Sequence, residues 1–144
     1  ASLRASARLG LLELQLMGTT AILDMGTVHH HEVIFQEAEK TGMRYWGGNC
    51  LMDLRKSSGP LYLSTTETLQ ECRTLIEQWH KKTPLLEYAI SPRFVISCTE
   101  KILKSAVQMR DQLDLVFHTH ASENKGEIQL VRERSGLDNV KYLK

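Results

Sequence analysis

Apolar residues recur along this chain in alternating helical and strand patterns. Leu9, Leu12 and Leu16 stand at helical spacing, and Gly18 is placed to end that helix. The stretch TTAILDMG then has the apolar character of a short buried strand, and HEVIFQEAEKTG predicts a second helix ending at Gly42. The chain therefore opens with a helix, followed by a first strand–helix unit.

The strand–helix pattern then repeats. MRYWGGNCLMD is predicted to be the second strand, in which Gly47 and Gly48 indicate a bulge or a close backbone approach. After the loop LRKSSGPLYL, Ser64 is expected at a helix N-cap, with Glu67 completing a capping box. The apolar face of that helix is predicted to comprise Leu69, Cys72, Ile76 and Trp79.

Two further units follow. The third strand, LLEYAIS, runs into Pro92, and Ser97 with Glu100 predicts a capping box for the next helix. LDLVFHTH is the fourth predicted strand, and a last helix is expected over 124–135 with Gly136 as its end. The buried face of the helix before LDLVFHTH is predicted to comprise Ile102, Leu103, Ala106 and Val107.

Four strands, each followed by a helix, predict an α/β protein with a parallel sheet. Periodicity leaves open whether this sheet is doubly wound or belongs to a (β/α)₈ barrel. A complete barrel typically has ~250 residues, so four units in 144 residues would form about half of one. The sequence has no GxGxxG after the first strand and no GxxxxGK[ST], which argues against dinucleotide-binding and P-loop folds.

Composition narrows the function classes. Hydrophobic and charged residues make up 42% and 24% of the chain and the net charge is +1, so nothing favours nucleic acid as a partner. No apolar run approaches the ~20 residues of a membrane span. Cys50, Cys72 and Cys98 form no CxxC, which favours reduced thiols in the cytoplasm over a zinc cluster. The start ASLRAS carries no initiator methionine or signal-peptide pattern, so we expect a piece of a longer protein.

Candidate functional side chains follow the predicted strands, at the edge where α/β proteins bind ligands. In chain order they are Asp24 and His29–His31, Asn49 and Asp53, Arg93 and Phe94, and His118, His120 and Glu123. The last group is the richest, because it combines two histidines with a carboxylate.

His118 and His120 should project to the same side, since strand residues two apart share a face, with Cα atoms ~6.6 Å apart. Imidazoles bind zinc or iron, and Glu123 could carry protons for a metal-activated water. The alternative is a pair of histidines that end a strand and bond to backbone carbonyls. A strand-end position and the nearby glutamate favour the metal site.

The other candidates are weaker. His29–His31 precede a helix, where a charged histidine is poorly placed against the helix dipole, so a solvated loop is expected and no ligand is assigned there. Arg93 could bind a carbonyl or ring nitrogen, and Phe94 could stack on a planar ring. A surface arginine at a turn explains the same residues equally well.

Five motifs, in matching order and spacing, carry a resemblance to a known family. They are MGTT before the first strand, CLMD at 50–53, STTETLQE, SPRFVISC at 91–98, and HTHASENKGEIQLVRE. Together they resemble the amidohydrolase superfamily, in the branch of guanine deaminase and the triazine chlorohydrolase-like aminohydrolases. The resemblance covers nearly the whole chain.

The resemblance implies a (β/α)₈ TIM barrel with one divalent metal, zinc in preference to iron, of which residues 1–144 would supply strands 2 to 5. It makes His120 a metal ligand and Glu123 the catalytic proton carrier, with the other metal ligands outside this chain. Arg93 and Phe94 become substrate-binding residues. His118 falls where the family requires no ligand, and is left as a substrate contact, a support for the site or strand packing.

The implied function is metal-dependent hydrolytic deamination of a nitrogen heterocycle, with guanine or a similar purine first and ammonia as a product. Hydrolysis of another C–N or C–Cl bond, in a triazine, cyclic amide, cytosine or adenosine derivative, is the alternative. A non-catalytic barrel fragment is the alternative from another class, and this chain alone is expected to be inactive. Small heterocycles are the expected partners, without nucleic acid or membrane, and the family suggests a homodimer.

Overall fold

The structure, a computed structural model, describes residues 2–144 as a parallel sheet with helices on one face. The helices are α1 (Ser2–Leu16), α2 (Glu32–Thr41), α3 (Arg55–Ser58), α4 (Thr65–Trp79), α5 (Glu100–Leu113), α6 (Lys125–Ser135) and α7 (Asn139–Tyr142). Short 3₁₀ turns span Gly59–Leu61 and Val95–Ser97. The strands are β1 (Ala21–Asp24), β2 (Arg44–Gly47), β3 (Cys50–Leu51), β4 (Leu86–Pro92) and β5 (Val116–Phe117). Within residues 2–144, no helix has the length and apolarity needed to span a bilayer.

The predicted second strand is interrupted into β2 and β3, which pair with β4 in a single register. Tyr45 lies beside Leu86 and Cys50 beside Ser91, the same residue offset on both sides of the interruption. β1 pairs with β2 and β5 pairs with β4, all in parallel. The four predicted strands therefore lie side by side in chain order, as consecutive βα units place them.

Gly48 at this interruption confirms the predicted close backbone approach, whereas Gly47 lies against a side chain. A Cβ on Gly48 would lie 2.2 Å from the Ala89 carbonyl oxygen, and one on Gly47 would lie 2.4 Å from the Tyr45 hydroxyl. Neither position has room for a side chain. The chain can therefore pass between β4 and the Tyr45 ring only with glycine at positions 47 and 48.

One face of the sheet is packed against the helices and the other is open. Phe35 of α2 stacks on Trp79 of α4, with ring centroids 5.3 Å apart, and meets Tyr45 of β2 edge-on at 5.4 Å. All three are buried. Strand residues alternate between faces, and the face away from the helices carries Leu23 and Val116, which are 49% and 38% exposed.

Helix α1 is held against α2 by a buried carboxylate. Glu37 is almost fully buried and bonds to Arg8 at 3.0 Å, Lys40 at 3.0 Å and Arg4 at 2.5 Å. Hydrogen bonds from Arg8, Lys40 and Arg4 lower the pKa of Glu37 to about 2. The ion cluster fixes the polar side of α1, while its predicted apolar stripe, Leu9, Leu12 and Leu16, is exposed.

The capping predictions had different outcomes. Ser64 caps α4 as expected, accepting from the Glu67 amide while the Glu67 carboxylate accepts from the Ser64 amide at 2.9 Å. The predicted pairing of Ser97 with Glu100 is wrong, because Ser97 lies in a 3₁₀ turn and its hydroxyl donates to the carbonyl of Phe94, the residue before that turn. Thr99 is the N-cap of α5 instead, with its hydroxyl accepting from the Ile102 amide at 3.2 Å.

The last predicted strand is shorter than expected. β5 covers only Val116 and Phe117, and the two histidines follow it outside the strand. α6 begins one residue later than predicted, with Asn124 as its N-cap, and ends as predicted at Ser135, with Gly136 in the left-handed conformation. α7 was not predicted, because a single turn leaves no periodic pattern.

Asp53, just beyond β3, joins three elements through one buried carboxylate that is only 5% exposed. Its Oδ1 accepts from the Thr99 amide at 2.7 Å. Its Oδ2 accepts from the Thr99 hydroxyl and from the Thr65 hydroxyl, each at 2.6 Å. The carboxyl end of the sheet is thereby fixed to the N-termini of α4 and α5.

Replacing Asp53 with alanine should therefore lower the free energy of unfolding by about 3 kcal/mol, because hydrogen bonds to a charged group are strong and their buried donors would lose the acceptor. Denaturant unfolding of the full-length protein measures this. The matched control is Asp111→Ala, an exposed carboxylate on α5, which should change stability by less than ~0.5 kcal/mol. Equal losses in the two variants would contradict the role of Asp53.

Candidate active site

The predicted site residues gather where β3, β4 and β5 end. The Arg93 amide donates to the Leu51 carbonyl at 3.1 Å, which continues the β3–β4 pairing past the strand. The His118 amide donates to the Ile90 carbonyl at 2.9 Å, and the His120 amide donates to the Arg93 carbonyl at 3.0 Å. Backbone hydrogen bonds thus place the two-histidine segment directly beside the segment that carries Arg93.

His120 has a defined ring orientation. Its Nδ1 lies 3.0 Å from the Arg93 carbonyl oxygen. A carbonyl only accepts hydrogen bonds, so Nδ1 carries a proton, and in the neutral ring the lone pair is therefore on Nε2. The ring also meets Phe94 edge-on, with centroids 6.3 Å apart. The side chain is exposed, so the lone pair is accessible.

Arg93 and Phe94 form the neighbouring wall of the rim. The Arg93 guanidinium lies 5.0 Å from the centre of the Phe94 ring, and its Nη1 is 3.6 Å from the Met52 sulfur. Arg93 also borders a cleft of about 440 Å³ between β3 and the loop after β1. Other lining residues of this cleft include His29, Val28, Cys50 and Met52. Such a volume accommodates a small heterocycle.

His118 is half-buried beside His120. Burial, and then the charge of His120, lower the pKa of His118, with Asp24 acting in the opposite direction. Its Nδ1 is buried and has no hydrogen-bond partner within residues 2–144. Burial therefore favours the neutral form of the His118 imidazole.

Glu123 lies farther along the same loop. Ser122, the residue before it, has φ of 60°, a left-handed conformation that turns the chain sharply. The Glu123 amide donates to Oε2 of Glu127 at 2.7 Å. Within residues 2–144 the Glu123 carboxylate makes no hydrogen bond to Arg93 or His120, so the structure joins those two residues directly and Glu123 only through the loop.

The prediction that His29–His31 form a solvated loop is wrong for His31, which is fully buried. Its Nδ1 accepts from the Thr27 amide at 3.4 Å, and its Nε2 lies 3.2 Å from the Tyr45 hydroxyl. That hydroxyl donates to Asp24 at 2.7 Å, so its oxygen accepts from the His31 Nε2–H. Burial lowers the pKa of His31 to about 4, against a smaller opposing effect of Asp24.

This buried chain of hydrogen bonds fixes the loop after β1, which lines the cleft. Gly26 is part of the same arrangement, because a Cβ there would lie 2.3 Å from the His31 ring. Sequence reasoning missed His31 because three consecutive histidines carry no pattern that separates one from the others. Its partners Asp24 and Tyr45 come from two different strands.

No group of three or more His, Cys, Asp or Glu side chains in residues 2–144 is placed to hold a metal ion. His120 is therefore the only predicted metal ligand that the described residues contribute to this rim.

Similarity to a known family shows which class of protein this chain belongs to. The Amidohydrolase family model matches residues 2–142. The chain belongs to the amidohydrolase family. This confirms the resemblance inferred from the five motifs, and the four parallel βα units are part of an amidohydrolase (β/α)₈ barrel.

Individual amidohydrolases are similar over most of this chain. Guanine deaminase of Escherichia coli is 38% identical over 120 residues, which is 80% of this chain and 26% of that protein. A solved structure of E. coli guanine deaminase matches with a TM-score of 0.82 and 32% identity, over 90% of this chain and 31% of that one. Atrazine chlorohydrolase from Arthrobacter aurescens, solved in complex with zinc, matches with a TM-score of 0.84 and 25% identity, over 97% and 34% of the two chains.

The chain thus spans about a quarter to a third of the length of these amidohydrolases. The part it spans contains the rim with Arg93, Phe94 and His120. What the complete protein does is accordingly a matter of proposal.

The buried histidine predicts a pH dependence of stability. The unfolded chain takes up a proton at His31 near pH 6.5, whereas the folded chain takes it up only near 4. The free energy of unfolding should therefore fall as pH drops from 6.5 towards 4, by about 3 kcal/mol in total.

Denaturant unfolding at a series of pH values measures this slope. His31→Gln should flatten it between pH 6.5 and 4, whatever its effect on stability at neutral pH. His30→Gln, an exposed neighbour in the same loop, is the control and should keep the slope. An unchanged slope in His31→Gln would contradict a neutral buried imidazole.

Proposed function

We propose that the protein containing this chain is a metal-dependent hydrolase that deaminates a nitrogen heterocycle, with guanine or a similar purine as substrate. One observation carries the proposal: the His120 ring donates through Nδ1 to the Arg93 carbonyl and so presents Nε2 on the strand rim. Membership of the amidohydrolase family and the similarity to guanine deaminase support the reaction class.

His120 is oriented as one ligand of a divalent metal would be. Metal-ligating histidines typically donate their other ring N–H to a backbone carbonyl or carboxylate, which is the arrangement of His120 and the Arg93 carbonyl. Zinc is the proposed ion, since the similar atrazine chlorohydrolase was solved with zinc, and iron is the alternative that imidazole also binds. When bound, such a metal acts as a Lewis acid that makes water a nucleophile near neutral pH.

Glu123 is the proposed proton carrier. Its carboxylate accepts a proton from the attacking water and delivers it to a ring nitrogen of the substrate. It then assists protonation of the amino group that leaves as ammonia, while the water oxygen becomes the carbonyl oxygen of the product. Its exposed position on the loop after His120 leaves it accessible to a substrate on the rim.

Arg93 and Phe94 are the proposed substrate-binding pair. The guanidinium can donate to a ring carbonyl oxygen, and the phenyl ring can pack against the heterocycle. Arg93 lines the cleft, and the centre of the Phe94 ring lies 5.0 Å from its guanidinium. We assign His118 a supporting substrate contact, since it lies beside His120 and its buried Nδ1 has no hydrogen-bond partner within residues 2–144.

A second function is favoured by one comparison. The similarity to atrazine chlorohydrolase supports hydrolysis of a C–Cl bond on a triazine by the same residues. The two functions share the metal and the proton carrier and differ in the leaving group. Ammonia release from purines against chloride release from chlorotriazines separates them.

We also propose a cytoplasmic location, supported by Cys50, Cys72 and Cys98, which are free and buried. Burial raises the pKa of the Cys50 and Cys72 thiols to about 11 and that of Cys98 to about 12, which keeps them protonated and unreactive. A homodimer is proposed from the family resemblance alone.

The proton carrier gives the first test of function. Full-length Glu123→Gln should lower kcat for guanine by at least ~10²-fold, as expected on loss of a general acid–base group, with its metal content unchanged. Ammonia release and metal analysis measure both quantities. Glu133→Gln, an exposed glutamate on α6, should behave as the wild type. Absence of ammonia release from purines, pyrimidines and triazines by the metal-loaded wild type would overturn the deaminase proposal.

Arg93 gives the second test. Arg93→Ala should raise KM for guanine by ~10- to 100-fold, because a charged hydrogen bond to the ring would be lost while the backbone carbonyl that orients His120 remains. Arg44→Ala, an exposed arginine at the opposite end of the sheet, should leave KM unchanged. Equal KM values for the wild type and Arg93→Ala would remove Arg93 from the substrate site.

A further inference from the structure

Beneath the loop that carries Glu123 lies a buried carboxylate that the proposed chemistry does not use. Glu127, in the first turn of α6, is only 2% exposed. Its Oε2 accepts from the Glu123 amide at 2.7 Å. Its own amide donates to the side chain of Asn124, the N-cap, at 2.9 Å.

The other oxygen of this carboxylate is also engaged. Oε1 of Glu127 accepts from Nδ2 of Asn139 in α7, a residue that is only 1% exposed. The Asn139 Oδ1 has no hydrogen-bond partner within residues 2–144. Glu127 thus links the Glu123 amide on one side to α7 on the other.

Glu127 differs from an ordinary helix cap in this same chain. In the capping box of α4, the exposed Glu67 carboxylate accepts from the amide of the N-cap residue itself, Ser64. Glu127 occupies the same N3 position of α6 but reaches one residue further back, past Asn124, to Glu123. The Glu127 carboxylate therefore fixes the backbone of Glu123, whereas the Glu67 carboxylate fixes only the N-cap residue of its own helix.

Burying the Glu127 carboxylate costs free energy. Within residues 2–144 it forms no ion pair with Lys, Arg or His, so its charge is balanced only by amide donors and the helix dipole. Apolar side chains of similar volume often stabilise a fold as well as buried charges do. What an apolar side chain would lack is an acceptor for the Glu123 amide.

The turn before Glu123 makes that acceptor important. Ser122 holds a left-handed conformation, which costs energy for a residue with a Cβ and needs support from its surroundings. The bond from the Glu123 amide to Glu127 lies immediately after this turn. It fixes the direction in which the chain leaves Ser122, and hence the point from which the Glu123 side chain projects.

We propose that Glu127 is a positioning residue for Glu123, and that Asn139 in turn orients the Glu127 carboxylate. The catalytic part of this proposal rests on the proposed role of Glu123 as proton carrier. Loss of Glu127 frees the turn, so the Glu123 carboxylate spends less time where a proton can be transferred.

The kinetic test uses the full-length, metal-loaded protein. Glu127→Ala should lower kcat by ~10²-fold, the scale of a misplacement near 1 Å, while KM stays within about twofold and metal content is unchanged. Glu127→Gln should restore most of kcat. Its amide oxygen can accept from Glu123, and its NH₂ can donate to the free Oδ1 of a rotated Asn139. Glu67→Ala, which removes a glutamate at the same helix position, should keep kcat.

A second readout does not depend on activity. Hydrogen exchange at the Glu123 amide should be slow in the wild type and in Glu127→Gln, and fast in Glu127→Ala, with the rest of the protein unchanged. If the metal-loaded wild type deaminates nothing, the proposed function fails. Exchange then decides the positioning role alone, and equally slow exchange in Glu127→Ala overturns it. With an active wild type, an unchanged kcat in Glu127→Ala, or a loss of folded protein with normal kcat per bound metal, overturns it as well.

Discussion

The rim of this half-barrel depends on the carboxylate of Asp53. It stands immediately after β3 and receives three hydrogen bonds, from the amide and hydroxyl of Thr99 and from the hydroxyl of Thr65. Two helices consequently begin at fixed points beside the sheet. The segment between β4 and α5, which carries Arg93 and Phe94, is anchored at its far end by the same group.

From that anchor the candidate site is assembled through backbone contacts. The Arg93 amide bonds to Leu51 of β3, and its carbonyl receives both the amide and the ring of His120. Arg93 therefore contributes a side chain to the proposed substrate site and, through its backbone carbonyl, also orients the proposed metal ligand. Side chains far apart in sequence meet here because parallel strands end at one edge of the sheet.

Sequence patterns predicted the parts of this structure that are locally determined. The βα order, the Ser64 cap and the ends of α6 follow from residues within one turn of each other. Ser97 fitted the capping pattern as well as Thr99 does, and the deciding contact comes from Asp53, 46 residues earlier.

The site was predictable to the same extent. Motifs placed Arg93, Phe94 and His120 on one rim, and the structure brings them together. The burial of His31 depends on Tyr45, 14 residues away on another strand, which no local pattern of three histidines could reveal. Glu127 is three residues after the N-cap Asn124, which is a usual position for a capping glutamate. That its carboxylate bonds to Glu123 and not to Asn124 depends on the folded loop.

The interruption between β2 and β3 has a consequence for how this segment can change during evolution. The register with β4 is the same before and after Gly48, so side chains continue to alternate between the two faces of the sheet as if the strand were unbroken. Leu51 therefore faces the helices, and Met52 faces the cleft. Removing or adding one residue there would turn each following side chain to the opposite face of the sheet. Asp53 would then lose its hydrogen bonds to the N-termini of both α4 and α5. Substitutions in this segment are therefore tolerated only outside Gly47 and Gly48, and a change in its length is not tolerated at all.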